Sequence, residues 1–417
     1  MRTGDDADAA AATAGFRGLT WDHPRGVHAL RAAAEQAETL GAPVSLRWDA
    51  QPLEGFESAP IGELASRYDL LVIDHPHLGD AIAQGALQPL DAVLPAELLA
   101  DLAAHSVGPS YTSYSAEGHL WALPLDAATQ VAAVREDLVD HTPSTWDEVR
   151  ELARGGSGSR ASVALSLAGP HAFLSLCSIA VSLGAEPRSL APRPEFEADP
   201  APLFDRDAAV TALALLHELA ERAPAGTAAL NPIGLLDRMR ASDDIAYIPL
   251  VYGYVNYSAA STASTPGSRV RFVDAPAAVR GGRPGSTIGG TGIAISAGTR
   301  VTPELVAHLG WLLSAEAQEG FIPQHDGQPS RISAWEAEAV NAPSADFYRG
   351  TRRTLDDSWV RPRFAGYTAF QTEASAIVRD GLGFPGFDPA ATLARLEAAY
   401  LTALTSAAHL TQTGATP

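Results

Sequence analysis

Three histidines follow acidic residues at the ends of apolar runs: His23 comes after Trp21-Asp22, and His75 and His77 come after Asp74. Histidine changes charge nearest neutral pH, so this placement suits proton transfer as well as hydrogen bonding to a polar ligand. Trp21, Tyr252, Tyr254 and Tyr257 offer flat faces for the C–H surface of a sugar ring, and Asp22 and Asp126 offer acceptors for its hydroxyls. Each aromatic is equally a core residue by type, each histidine fits a satisfied or solvent-facing role, and Asp126 suits a hinge as well as a ligand contact. Late in the chain His325-Asp326-Gly-Gln328 is followed by Arg331 and by Arg361-Pro-Arg363 with Tyr367. Guanidinium forks of that kind present fixed donors to a carboxylate, or else lie in a salt-bridged surface. His75-Pro-His77 pairs two metal-ligand types without an acidic pair or an HExxH helix, so no metal site is expected.

Other chemistry is excluded by composition. All 29 basic residues are arginine, and without a lysine neither a Walker-type phosphate loop nor a Schiff base can form. The single cysteine, Cys177, rules out an intrachain disulfide and Cys-rich metal sites. No cofactor is expected. No GxSxG nucleophile elbow occurs, and the Gly-rich stretch 281–292 lacks the GxGxxG order. A formal charge of −20 disfavours nucleic acid and anionic membranes as partners. With 46% hydrophobic and 19% charged residues over 417 positions, the chain can bury two sizeable cores.

The elements that must carry these residues alternate between strand and helix. Phe16 to Trp21 reads as a strand, Gly26 to Leu40 as a helix stopped by Gly41, and Val44 to Trp48 as a second strand. Tyr68-Asp-Leu-Leu-Val-Ile73 has the continuous apolar character of a buried parallel strand, and Gly79 to Gly85 reads as a helix. This is the start of a doubly wound sheet, in which ligands sit beyond the strand carboxyl ends, where His23 and His75 fall. Extended segments follow at 121–126 and 131–134, a capping box at Thr145-Trp-Asp-Glu148, a flexible turn at 155–159 and an amphipathic helix at 208–222. Ile245 to Leu250 and Ile293 to Ser296 read as strands, Pro303 to Ser314 as a helix, and Asp388-Pro-Ala as the start of a last helix. No repeat is present.

The order of several of these segments resembles bacterial extracellular solute-binding proteins of family 1, the substrate-binding components of carbohydrate-type ABC transporters. It rests on Tyr68-Asp-Leu-Leu-Val with Gly85-Ala-Leu-Gln-Pro-Leu-Asp91, on Trp121-Ala-Leu-Pro-Leu-Asp126 and on Pro143-Ser-Thr-Trp-Asp-Glu148. Asp244-Ile-Ala-Tyr-Ile-Pro-Leu250, Gly290-Thr-Gly-Ile-Ala-Ile-Ser296 and Ser314-Ala-Glu-Ala-Gln318 continue it across most of residues 16 to 405. The resemblance implies an α/β, two-lobed, periplasmic-binding-protein-like fold with several hinge crossovers, near 125–130, 290–295 and 320–328, closing on a small polar ligand. After a mobile tail at 1–15, the first lobe is expected at 16–124 with 293–320 and the second at 125–292 with 321–410.

The resemblance implies binding of a sugar or hydroxylated acid, with an ABC permease as partner if the protein is exported. The expected contacts are Trp21, Asp22, His23, Asp74, His75, Asp126, Tyr252, Tyr254, Tyr257, His325, Asp326, Arg361 and Arg363. The start of the chain carries acidic residues where a secretory leader has basic ones, and no apolar run is long enough to span a membrane. With Met1 as the native start the expectation is a cytoplasmic protein; with a leader removed, an extracytoplasmic one. The alternative is a cytosolic enzyme on the same fold, with His23 and His75 as acid and base in an isomerisation, elimination or cyclisation.

Overall fold

The computed structural model describes residues 14–155, 162–188, 202–259, 269–383 and 385–413. Two sheets organise them. The first has the order β2-β1-β3-β11-β6 and is built from β1 (Ala14–Trp21), β2 (Val44–Gln51), β3 (Leu70–Ile73), β6 (Ala122–Asp126) and β11 (Thr291–Ile295). A short hairpin, β4 (Ser115–Ala116) with β5 (His119–Leu120), leads into β6. The second sheet has the order β10-β7-β9-β8, from β7 (Gln130–Arg135), β8 (Ser162–Val163), β9 (Ile245–Tyr252) and β10 (Val270–Val273).

Residue patterns account for strand positions. β2 alternates buried and exposed along Val44 to Leu46 and lies at an edge, whereas Leu70-Leu-Val-Ile73 is buried at every position and lies at the centre of its sheet. β1, β2 and β3 are parallel, as a doubly wound unit requires. The expectation of a doubly wound sheet holds only that far, because β11 enters antiparallel between β3 and β6, pairing Ile293 with Val72 and with Leu123. Ala14 and Gly15 pair with Val44 and Ser45, so β1 begins inside the stretch expected to be tail. The capping box forms, with Thr145 and Glu148 each accepting from the other's backbone N–H, and the last helix, Pro389–Thr413, starts under the Asp388 carboxylate. Of the expected turn at 155–159, Gly155 is described, in a left-handed turn at φ 79°, and the rest lies outside the described residues.

Each sheet has its own packed side. Leu70, Leu71, Ile293, Leu305 and Leu309 lie in the core around the first. The helix His171–Ser182, buried at every residue, packs with Tyr367, Phe370, Leu396 and Tyr400 against the second. The chain changes sheet between β6 and β7 and again between β10 and β11. Polar side chains stitch these crossings: Gln328 donates to Ala127 O (2.8 Å), Ser330 to Pro124 O (2.7 Å) and Thr129 to Thr287 O (3.1 Å). None of the described helices is long and apolar enough to cross a membrane.

Candidate functional site

β1 ends at Trp21, and His23 then caps the helix Pro24–Thr39, its Nδ1 accepting from the Arg25 N–H (3.2 Å) with Pro24 at the first helical position. The first turn points Arg25 back into the protein. Its Nε donates to Asp126 Oδ2 (2.6 Å), an Nη to Asp126 Oδ1, and the other Nη to Gly253 O (3.0 Å) at the end of β9. The guanidinium therefore ties the first sheet to the second. It lies 5.7 Å from the Trp21 ring and 4.9 Å from the Tyr254 ring. The His23 ring stacks on Trp21 (5.2 Å, 6°) and meets the edge of Tyr254 (5.0 Å). Burial, then Arg25, pulls the His23 pKa down to about 4. Burial raises the Asp126 carboxyl above its ordinary value while Arg25 holds it down.

The second group begins where β3 ends. Asp74 Oδ1 accepts from the His75 N–H (2.9 Å), and Oδ2 accepts from Arg361 (2.5 Å), which also donates to Ile288 O (3.1 Å) and Gln371 Oε1 (3.2 Å). Against the effect of burial, Arg361 and His75 hold the Asp74 carboxyl well below the usual carboxylate range. Burial, then Arg361, lowers His75 to about 4, so this fully buried ring is neutral at pH 7. Its Nδ1 lies 3.0 Å from Asp74 Oδ1, and its Nε2 is buried without a hydrogen bond. The His77 N–H donates to Asp74 O (3.2 Å) and its Nε2 to Phe56 O (3.1 Å), and burial lowers its pKa.

Four more side chains share this condition. His171, 2% exposed, has two unbonded ring nitrogens, and the hydroxyls of Tyr252 and Tyr367 and the Nε of Arg361 are likewise buried without a partner. The His171 ring is 5.8 Å from Tyr252, and its Nε2 is 3.5 Å from Glu57 Oε1 on the first-sheet helix Leu53–Ser58. The charge of Arg361 acts on His75, Tyr252 and Tyr367, and the His171 ring adjoins Tyr252. Leaving a buried polar atom unpaired costs about 1–3 kcal/mol. These five side chains form a buried polar cluster whose hydrogen-bonding capacity is incompletely used. The Tyr114 ring meets the His75 ring at 6.3 Å and its hydroxyl donates to Ile73 O (3.2 Å), while burial, then Asp74 and Asp126, raises its pKa.

The structure thus joins Trp21, His23, Asp126 and Tyr254 around Arg25, and Asp74, His75 and Tyr252 around Arg361. The other expected residues have local partners. Asp22 is exposed. Tyr257 donates to Asp237 (3.0 Å), His325 bonds Phe321 O (2.8 Å), exposed Asp326 pairs with His28 (2.8 Å), and Arg363 donates to the Thr112 and Ser113 carbonyls (2.9 Å each). Trp21 is 3% exposed with one face covered by His23, so it is a wall support rather than a free platform. Arg25, Glu57, His171 and Tyr367 were not expected as site residues. Among the described residues, no three His, Cys, Asp or Glu side chains gather around a common metal position.

A family model for bacterial extracellular solute-binding proteins matches residues 57–343. No curated protein sequence matches the chain. Solved structures similar in fold include an ABC transporter solute-binding protein from Agrobacterium radiobacter K84 in complex with ribitol, at 22% identity over 95% of this chain and 98% of that one, TM-score 0.72. The GacH receptor of Streptomyces glaucescens GLA.O, solved unliganded and with acarbose, is 18% identical over 94% and 99%, TM-score 0.71. A solute-binding protein from Thermotoga lettingae TMO bound with α-D-tagatose is 13% identical over 94% and 100%, TM-score 0.74.

Proposed function

The chain belongs to the family of bacterial extracellular solute-binding proteins, and on that premise we propose that it captures a small polar solute, a sugar, polyol or hydroxylated acid, between its two lobes. The observation that carries this reading is the set of buried, unbonded polar atoms on His75, His171, Tyr252, Arg361 and Tyr367. His75 follows β3 of the first sheet, and the others come from the elements around the second. A solute bonded to them satisfies both sides at once and favours the closed arrangement over an open one. Asp74, Asp126, Trp21, His23 and Tyr254 position that wall. Release to an ABC permease on the outer side of the membrane is the place of such a protein in transport. The acid–base alternative gains nothing from His23, whose Nδ1 is bonded to the Arg25 backbone.

The test is calorimetric titration with ribitol, D-mannitol, D-tagatose and their sugar acids, paired with solution scattering. Saturable binding of at least one compound, with a smaller radius of gyration at saturation, is the expected result. An unchanged radius with a saturating ligand, or no binding across the set at millimolar concentration, overturns the reading.

A further inference from the structure

A hollow of about 400 Å³ opens between the helices Pro24–Thr39 and Pro303–Leu312, and Ala42, Pro43 and Val44 at the start of β2 complete its lining. Only the later turns of the first helix take part, from Ala33 onward. At about 1.5 Å per residue, that places the hollow roughly 12 Å or more along the axis from Arg25, away from the residues where the two lobes meet. Small side chains make the space. Ala33 and Ala37 lie one turn apart on the first helix and Ala307 lines the hollow from the second, so at these positions nothing beyond a Cβ fills the gap between the helices. Its volume is that of a small-molecule pocket. We propose that this hollow is a binding site, separate from solute capture between the lobes, for a small uncharged aromatic alcohol, a flat apolar body carrying one hydroxyl.

His308 points to the hydroxyl. It lines the hollow and is only 7% exposed. Among the described residues nothing bonds its ring nitrogens: burial alone acts on its pKa, lowering it, and its ring contact is Trp311 (6.1 Å). At pH 7 the ring is therefore neutral, with one N–H to donate and one lone pair to accept. A polar ring buried to that degree costs stability unless something bonds it. A hydroxyl, donor and acceptor at once, bonds either nitrogen.

The remaining lining asks for an apolar, uncharged body. Leu40, at 74% exposure the most exposed large apolar side chain among the described residues, stands at the hollow, and an apolar occupant removes that surface from water. Half-buried Trp311 lines it too and offers an aromatic partner. No guanidinium lines the hollow, and its one charged lining residue is Glu304. Hydrogen bonds from its own backbone N–H and from Thr302 hold the Glu304 carboxyl below its ordinary pKa, so it is ionised. A carboxylate ligand meets that charge with no cation to pair, in a protein whose formal charge is already −20. An ammonium ligand pairs with Glu304 but, as a donor only, leaves the His308 N–H unmatched.

The experiment is calorimetric titration of the full chain with 2-naphthol and with 2-naphthoate, which share the ring system and differ in the polar group. We expect saturable one-to-one binding of 2-naphthol and affinity for 2-naphthoate about tenfold or more weaker. His308→Phe keeps a ring and removes its polar atoms. The 2-naphthol affinity should then fall about fivefold or more while the melting temperature stays level or rises, a pairing that a structural histidine would not give. Ala307→Phe fills the hollow from an exposed position and should abolish the heat. Ala37→Leu, entering from the other helix, serves where circular dichroism shows the first variant unfolded. No saturable binding of 2-naphthol, equal affinity for 2-naphthoate, unchanged affinity in His308→Phe, or undiminished binding in a folded hollow-filling variant each overturns the proposal. None of these outcomes bears on solute capture, whose test uses polyols and sugar acids.

Discussion

Replacing Arg25 with methionine keeps most of the stem volume and removes the guanidinium that joins the two sheets. The variant loses two donors to Asp126 and one to Gly253 O, and leaves a carboxylate that is 5% exposed without its counter-ion. Breaking a buried pair from one side costs about 3–5 kcal/mol, because the surviving charge stays desolvated. Arg25→Met with Asp126→Asn removes both charges, so the double variant should recover more than half of that loss. The pH dependence has a definite sign. Burial already raises the Asp126 carboxyl, and without Arg25 it rises further, above its unfolded value. Protonation then stabilises the folded variant, so its deficit against wild type shrinks as pH falls from 7 to 5 and grows as pH rises. Urea unfolding followed by tryptophan fluorescence reads all of this, with Trp21 5.7 Å from the guanidinium as a local reporter. A single variant within about 1 kcal/mol of wild type at pH 7, or a double variant no more stable than the single, refutes the reasoning.

Tyr252→Phe removes a buried hydroxyl that has no partner, so its melting temperature should stay level or rise while solute affinity falls about tenfold; a drop in both would mean the hydroxyl is structural. At Gly79 a Cβ would stand 2.2 Å from the carbonyl carbon and oxygen of Phe364, backbone that cannot swing aside. Gly79→Ala should therefore hold the lobes apart, giving a larger radius of gyration at saturating solute and an affinity loss of at least about tenfold, and wild-type contraction in that variant would show that this contact does not limit closure.

Several strands were legible because their signals are local, whereas β8 and β10 of the second sheet were not expected. Leu70 to Ile73 is a continuous apolar run, Val44 to Leu46 alternates, and Thr145 with Glu148 spells a helix start in four residues. The antiparallel entry of β11 was not legible, since Ile293-Ala-Ile reads the same in either direction and only its partners 170 and 221 residues away set it. For the site, position after a strand end pointed to Asp74 and His75, which meet each other and, through Asp74, Arg361. It could not find Arg25, one of two arginines on an amphipathic helix, nor Glu57 and His171, which meet across 114 residues. Arg361-Pro-Arg363 looked like a single pair of donors. An intervening proline and extended backbone send the two guanidiniums to different partners, one to a carboxylate and the other to carbonyls.

The insertion of β11 between β3 and β6 bears on how the chain emerges from the ribosome. Residues through Asp126 supply four of the five strands of the first sheet, yet β3 and β6 have no common edge until residues 291–295 arrive between them. At about 5–20 residues per second, that strand follows β6 by roughly ten to thirty seconds. Throughout this interval the nascent first lobe carries unsatisfied edges on Leu70–Ile73 and Ala122–Asp126, both fully apolar or nearly so. The second sheet, whose strands lie between residues 130 and 273, is complete before the first, although it begins later. Synthesis therefore runs from the N-terminus while completion of the two sheets runs the other way, and the first sheet stays open between β3 and β6 until its missing strand is made.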